Sequence, residues 1–109
     1  MIKKYLSTLG LCARAGKLEY GTPKVCDALK EGKVFLVVEA SGNSDNTRKR
    51  LSDRSAYYGV RLIEADADKI ELGRYSGRPE GTAVVAVRDR GLAEAVASGW
   101  DAYSSEKQK

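Results

Sequence analysis

The feature of the sequence that most restricts its fold is an unbroken apolar run, Val-Phe-Leu-Val-Val, at residues 34–38. A short apolar run that is rich in β-branched residues is typical of a strand buried on both faces, as in the middle of a mostly parallel sheet. Burying both faces requires helices on each side of that sheet. The run therefore predicts an α/β fold.

Helical and strand-like patterns alternate along the rest of the chain. The spacing of apolar residues predicts helices at residues 2–15, 23–31, 47–58, 69–75 and 89–98, and further short strands at 18–20, 60–63 and 82–87. Thr22 is expected to cap the second helix, with Pro23 at its first position. Gly99 is expected to end the last helix in the left-handed conformation. The alternation predicts an α/β/α sandwich.

Length and composition are those of one globular domain. The chain has 109 residues, of which 42% are hydrophobic, and no apolar run approaches the ~18 residues that span a membrane. The first residues lack the apolar stretch and the cleavage site of a secretory signal. We expect a cytoplasmic protein with a single domain at residues 1–100 and a polar, disordered tail at residues 101–109.

Charge is distributed unevenly along the chain. Residues 1–61 contain 12 Lys and Arg against six Asp and Glu, whereas residues 62–109 contain seven against nine. Clustered basic residues favour polyanionic partners, because contacts to phosphates release condensed counterions. The amino-terminal portion therefore indicates a nucleic-acid partner, and the alternative is a solvated surface that keeps the protein soluble.

The residues on which most catalytic and metal sites depend are absent or isolated. The chain has no His, which is the commonest general base and transition-metal ligand. Cys12 and Cys26 lie far apart and form no metal-binding motif, so we expect reduced thiols packed in the core. Asp66, Asp68 and Glu71 form an acidic cluster that the dipole of a following helix favours. We predict a protein that is not an enzyme and that holds no metal or cofactor.

Three segments have the chemistry of an RNA-binding surface. The first is the start of the second helix, where unpaired amides and positive side chains attract phosphate; its residues are Lys17, Gly21, Thr22 and Lys24. The second is a basic helical stripe with an aromatic neighbour, Tyr57; its residues are Arg48, Lys49, Arg50 and Arg54. Lys33, outside that helix, extends the same basic surface. The third is the glycine-rich loop at residues 77–82, with Arg74 and Arg78. The alternatives are an ordinary capped helix, a solvated helical face and a mobile connector.

Several short segments, taken in order, resemble a known family. They are residues 9–17, Gly21, 33–38, 46–49, 57–60, 72–74 and 83–91, and they extend over nearly all of residues 2–97. Their order and spacing resemble the kink-turn-binding ribosomal protein superfamily, of the L7Ae and L30e type, and its short bacterial branch, the YlxQ-type RNA-binding proteins. The resemblance implies a three-layer α/β/α sandwich around a four-stranded mixed sheet. It also implies that the first turn of the second helix enters an RNA groove and that loop 77–82 covers a protruding nucleotide.

The chain departs from the family pattern at the expected base-reading positions. Family members usually carry Asn-Glu after the Gly-Thr pair and a Lys three residues beyond the Glu, where this chain has Pro23, Lys24 and Asp27. Proline offers no side-chain hydrogen bond to a base edge, whereas Lys24 suits phosphate contacts. We therefore expect non-catalytic binding of structured RNA that is led by phosphate contacts.

The expected partner is a structured RNA, with ribosomal RNA as one candidate, bound by a monomer that is associated with translation or the ribosome. On this hypothesis the basic side chains and the free amides converge on a single rim of the sandwich. The alternative is a protein-interaction module of the same fold that has lost RNA binding.

Overall fold

The computed structural model of the protein describes residues 3–107. The elements in chain order are α1 (Lys4–Arg14), β1 (Leu18–Tyr20), α2 (Thr22–Lys30), β2 (Leu36–Glu39), α3 (Asp45–Tyr57), β3 (Leu62–Glu64), α4 (Lys69–Ser76), β4 (Val84–Val87) and α5 (Arg90–Lys107). This order of helices and strands is the one that the periodicity of the sequence predicts. Ile2, where the first helix was expected to begin, lies outside the described residues.

The four strands form one mixed sheet in the order β1-β4-β2-β3. β4 is antiparallel to both β1 and β2, and β2 is parallel to β3. The strands β1, β2 and β3 therefore all run in the same direction, with β4 as the single reversed strand. The predicted α/β/α sandwich around a four-stranded mixed sheet is confirmed.

Helices cover both faces of the sheet and bury a separate apolar cluster on each. On one face, α2 and α3 pack through Val25, Leu29 and Leu51 against Val37 and the neighbouring strand residues. On the other face, α1, α4 and α5 pack against the sheet through a larger cluster, which includes Tyr5, Leu9, Leu72, Val96 and Val38. Cys12 and Cys26 are free and buried, as expected.

Strand bounds differ from the expected ones by a few residues. In the central run, β2 spans Leu36–Glu39, and all four of its residues are buried. Val34 and Phe35 precede the strand, and Phe35 is partly exposed. The apolar run therefore predicts the buried strand correctly but places its start two residues too early, because hydrophobicity does not mark where pairing with β4 begins.

The expectation that Gly99 ends the last helix is wrong. α5 continues through Gly99 to Lys107. A Cβ atom at residue 99 would lie 3.3 Å from Cα and Cβ of Tyr5. Glycine is used here for the close approach of α1 and α5, and not for a left-handed turn.

The expected disordered tail is also wrong for residues 101–107, which form the last turns of α5. Tyr103 is buried, and its ring lies 5.3 Å from that of Tyr5. The Tyr103 hydroxyl donates to the Asp66 carboxylate, and Lys107 Nζ donates to the same carboxylate at 2.8 Å. These contacts anchor residues that look like a polar tail in the sequence.

Thr22 does not cap α2, contrary to the sequence prediction. Gly21 occupies the N-cap position with φ 86° and ψ 150°, Thr22 is the first helical residue, and no side chain caps the helix. By contrast, Ser44 accepts from the Thr47 amide at the start of α3, and Asp68 accepts from the Glu71 amide at the start of α4. Among the starts of α2, α3 and α4, only that of α2 therefore lacks a side-chain cap.

Within residues 3–107, no helix combines the length and the apolar character needed to cross a bilayer.

Candidate nucleic-acid interface

The direction of the strands brings the starts of three helices to one side of the molecule. Because β1, β2 and β3 are parallel, their carboxyl ends lie at the same edge of the sheet, and α2, α3 and α4 each begin there. The Gly21 amide donates to the Val84 carbonyl at 3.1 Å, and Asn43 Nδ2 donates to the Ala83 carbonyl at 3.0 Å. We call this side, formed by the starts of α2, α3 and α4 and the loop at residues 77–83, the carboxyl edge.

The start of α2 is open to an anion. Its N-cap, Gly21, has a backbone conformation that is essentially restricted to glycine, and Pro23 contributes no N–H. Within residues 3–107, the amides of Thr22 and Lys24 donate to no acceptor, and the Lys24 side chain is exposed. Two free amides and the positive end of the helix dipole therefore face solvent, and the exposed Lys24 adds a positive charge in the same turn; this arrangement suits a phosphate.

A groove separates the start of α2 from the glycine-rich loop. It has a volume of about 430 Å³, and its lining includes Tyr20, Gly21, Arg78, Gly81 and Thr82. The Arg78 guanidinium lies 4.1 Å from the centre of the Tyr20 ring. The structure thus brings together the two segments that the family resemblance pairs, helix start and loop.

Tyr20 holds this groove in shape, and sequence reasoning missed it. Its hydroxyl donates to the Ser76 carbonyl at 2.6 Å, which ties the end of β1 to the end of α4. Burial raises the pKa of Tyr20, and the nearby Arg78 partly opposes that shift, so the hydroxyl stays a donor near neutral pH. The ring then serves as a platform that keeps the Arg78 guanidinium at the groove.

The loop after α4 packs closely against that helix because residue 73 is a glycine. A Cβ atom at Gly73 would lie 2.1 Å from the Arg78 carbonyl oxygen and 2.7 Å from Gly81 Cα. Only a residue without a side chain fits between helix and loop, so Gly73 determines where the loop lies. A glycine inside a helical pattern is the sequence signal for such a close approach.

An acidic side chain lies beneath the carboxyl edge. Glu39 ends β2, is 4% exposed, and has an Oε1 atom without a hydrogen-bond partner within the described residues. It lies on the same face as Val37, beneath α2 and α3. Burial and, to a smaller degree, the Glu64 carboxylate beside it raise the pKa of Glu39, while Arg48 opposes the shift. In the sequence, the only indication that the Glu39 carboxylate is buried is its position directly after the apolar run at residues 34–38.

The basic residues predicted for the site are divided between the two edges of the sheet. Lys24, Arg48 and Arg78 lie at the carboxyl edge, where Arg48 Nη2 is 3.7 Å from Glu64 Oε1. Lys17 and Lys33 precede β1 and β2, so they lie at the opposite edge. Strand direction separates Lys17 from Gly21, so the expectation of one rim that gathers all the positive side chains is wrong for Lys17. The Lys33 side chain, however, lines the same groove as Lys24.

The predicted residues Lys49, Arg50, Arg54 and Arg74 are exposed along the helices, whereas Lys33 is exposed between α2 and β2. Lys49 Nζ is 3.1 Å from Asp53 Oδ2, and Lys33 Nζ is 3.2 Å from Glu31 Oε2, so part of the charge of each is neutralised. Within the described chain, no acidic partner lies within ion-pair distance of Arg50, Arg54 or Arg74. In the part of the chain that the structure covers, no group of three metal-ligating side chains occurs.

An α/β/α domain with an uncapped helix start, a facing glycine-rich loop and basic side chains on both is a polyanion-binding type of protein. The chain belongs to the Ribosomal protein L7Ae/L30e/S12e/Gadd45 family, whose model matches residues 3–97. The family resemblance that the sequence indicated is therefore confirmed.

Curated relatives and a solved structure cover most of the chain. It is 33% identical over 95 residues to the RNA-binding protein YlxQ of Bacillus subtilis, with 87% of this chain and 93% of that protein covered. It is 32% identical over 92 residues to the RNA-binding protein YlxQ of Enterococcus faecium, with 84% and 86% covered. A solved structure of a protein of unknown function from Bacillus halodurans has a TM-score of 0.87 and 33% identity, and covers 92% of this chain and 99% of its own.

Proposed function

We propose that the protein binds structured RNA without catalysing a reaction on it, in association with the ribosome or with translation. The observation that carries the proposal is the open start of α2, where two free amides follow Gly21 at the groove that Arg78 also lines, with Lys24 exposed in the same first turn. Two relatives that the chain matches over most of its length are named RNA-binding proteins. Membership in a ribosomal protein family supports the same function.

Phosphate contacts supply most of the affinity on this proposal. The amides of Thr22 and Lys24 bind one backbone phosphate at the helix start, and the Lys24 ammonium binds an adjacent one. Arg78, held on the Tyr20 ring, contacts the RNA from the other side of the groove. Pro23 has no polar side chain for a base edge, so we infer that shape and phosphate spacing select the RNA more than base identity does.

The finer features of the proposal concern partner, assembly and location. We infer that ribosomal RNA is the partner and that the protein acts in the cytoplasm. We also infer that it binds as a monomer.

The experiment is ultraviolet crosslinking in cells followed by sequencing of the attached RNA, with two charge-reversed variants of equal net charge. The test variant carries Lys24→Glu and Arg78→Glu at the carboxyl edge. The matched control carries Arg14→Glu and Lys17→Glu, at the end of α1 and just before β1, at the opposite edge. All four side chains are exposed, so both variants should keep the wild-type circular dichroism.

We expect wild type and control to recover ribosomal RNA, and the carboxyl-edge variant to recover at least about tenfold less, because two phosphate contacts become repulsive. If the two variants recovered equal amounts of ribosomal RNA, the proposed interface would be contradicted. A wild-type protein that recovers no RNA, and that retains a protein partner after nuclease treatment, would contradict the function itself.

A further inference from the structure

Tyr57 is an aromatic side chain that folding leaves almost entirely in solvent. It is 80% exposed, the highest exposure of the large hydrophobic residues in the described chain. Its ring meets the ring of Tyr58 edge to face, with centres 4.8 Å apart and planes at 80°. Tyr58 is partly buried against the apolar cluster under α2 and α3. Its ring therefore supports one side of the Tyr57 ring, and most of the Tyr57 ring stays exposed to solvent.

The charge around Tyr57 is positive and uncompensated. On α3, Asp53 is paired with Lys49 and Arg48 is paired with Glu64. Arg50 and Arg54 have no acidic partner within ion-pair distance among residues 3–107. Arg54 lies three residues before Tyr57, so the two side chains share one face of the helix.

A shallow groove lies at the same place. It has a volume of about 350 Å³ and is lined by Asp53, Arg54, Tyr57 and Tyr58. A flat, exposed aromatic ring beside a guanidinium is the arrangement on which single-stranded bases stack in nucleic-acid-binding proteins. The neighbouring cations favour a ligand that carries phosphates over a protein surface that carries no negative charge.

We propose that the Arg54–Tyr57 groove is a second RNA contact, which stacks one unpaired base of the bound RNA on Tyr57 and holds its phosphate at Arg54. The inference rests on the proposed RNA-binding function. α3 has 13 residues and begins at the carboxyl edge, so the groove lies about 18 Å from that edge along the helix. A folded RNA that docks at the start of α2 and follows α3 reaches both places.

The experiment measures the affinity of purified ribosomal RNA for the full chain by filter binding over a range of salt concentrations. The variants are Tyr57→Ala, which removes the ring, Tyr57→Phe, which keeps it, and Arg54→Ala. Because Tyr57 is 80% exposed, the alanine variant should keep the thermal midpoint of the wild type. A matching midpoint shows that any loss of affinity is not a loss of fold.

We expect Tyr57→Ala to weaken binding by about 5- to 10-fold and Tyr57→Phe to bind like wild type, since stacking needs the ring and not the hydroxyl. Tyr57→Ala should leave the slope of log affinity against log salt unchanged. Arg54→Ala should flatten that slope by about 0.7–0.9, the value for one phosphate contact.

Other outcomes separate this inference from the proposed function. If wild type binds ribosomal RNA and Tyr57→Ala binds equally well, the second contact is refuted while RNA binding stands. If Tyr57→Ala instead loses a protein partner that survives nuclease treatment, the groove binds protein and the inference is refuted. If wild type does not bind ribosomal RNA, the proposed function fails and this inference fails with it.

Discussion

Replacing the buried Glu39 with Gln should raise stability at neutral pH and remove a pH dependence from it. Glu39 is 4% exposed, its Oε1 has no hydrogen-bond partner within residues 3–107, and burial and Glu64 raise its pKa. Since its pKa in the folded state exceeds that in the unfolded chain, about 4.3, the native state holds the proton more tightly. Its stabilising contribution is complete below the unfolded pKa and is lost as the pH rises through the folded pKa.

The size of the effect follows from the unsatisfied carboxylate. Leaving a buried acceptor without a partner costs about 1–3 kcal/mol, and more for a charged group. Glu39→Gln removes the charge and keeps the shape of the side chain. We expect the variant to match the wild type near pH 4 and to exceed it by about 1 kcal/mol or more near pH 8.

Urea denaturation at several pH values measures this difference. With a slope of about 1–3 kcal/mol per molar urea, an effect of about 1 kcal/mol should raise the midpoint at pH 8 by roughly 0.3–1 M. Glu94→Gln is the control, because Glu94 is exposed on α5, which packs on the opposite face of the sheet from Glu39, and a surface substitution there should change stability by at most about 0.5 kcal/mol. A Glu39→Gln variant with the pH profile of the wild type, or one that is less stable at pH 8, would refute the reasoning.

Three further substitutions test the contacts that shape the carboxyl edge and its support. Gly21→Ala should cost about 1–3 kcal/mol in urea denaturation, because φ 86° with ψ 150° is open essentially to glycine alone. Gly73→Ala should lower stability by about 1–3 kcal/mol and weaken RNA binding in filter assays, because the new Cβ displaces the loop at Arg78; a variant with wild-type values of both would refute the close approach. Tyr5→Phe should cost about 1 kcal/mol in thermal unfolding, since the Asp66 amide loses its acceptor at 3.0 Å, and no change would mean that water replaces the hydroxyl.

The order of the elements is predictable from the sequence because the signals are local. Apolar spacing marks α1 and α2, capping residues mark the start of α3, the apolar run marks β2, and glycines close the turns. Gly16 and Gly59, which follow the ends of α1 and α3, both have φ 69°, the left-handed conformation typical of a glycine that ends a helix. Each of these features depends on residues within a few positions, so no tertiary contact is needed to infer them.

The parts that sequence reasoning missed depend on contacts between distant residues. Gly99 lies inside a helix because Tyr5 packs on it, and the end of α5 is ordered because Tyr103 and Lys107 reach Asp66. No pattern near residue 99 distinguishes that role from a helix end.

The composition of the candidate site shows the same limit. The approach of Gly21 to the loop at Arg78 was expected from the family resemblance. The placement of Lys17 and Lys33 at the opposite edge requires the directions of β1 and β2, which come from pairing with β4. The burial of Glu39 likewise follows from its register with Glu64 and Val84. Charge counts along the chain carry none of this information.

The most direct test of the account is to map the RNA-contacting surface by amide chemical shifts. The isotope-labelled protein is titrated with a ribosomal RNA fragment recovered by crosslinking. We predict that the amides of Thr22, Lys24 and Gly81 shift or broaden first and most, while those of Arg14 and Lys17 stay unchanged. Perturbations centred on Arg14 and Lys17, with the start of α2 unaffected, would contradict an RNA interface at the carboxyl edge.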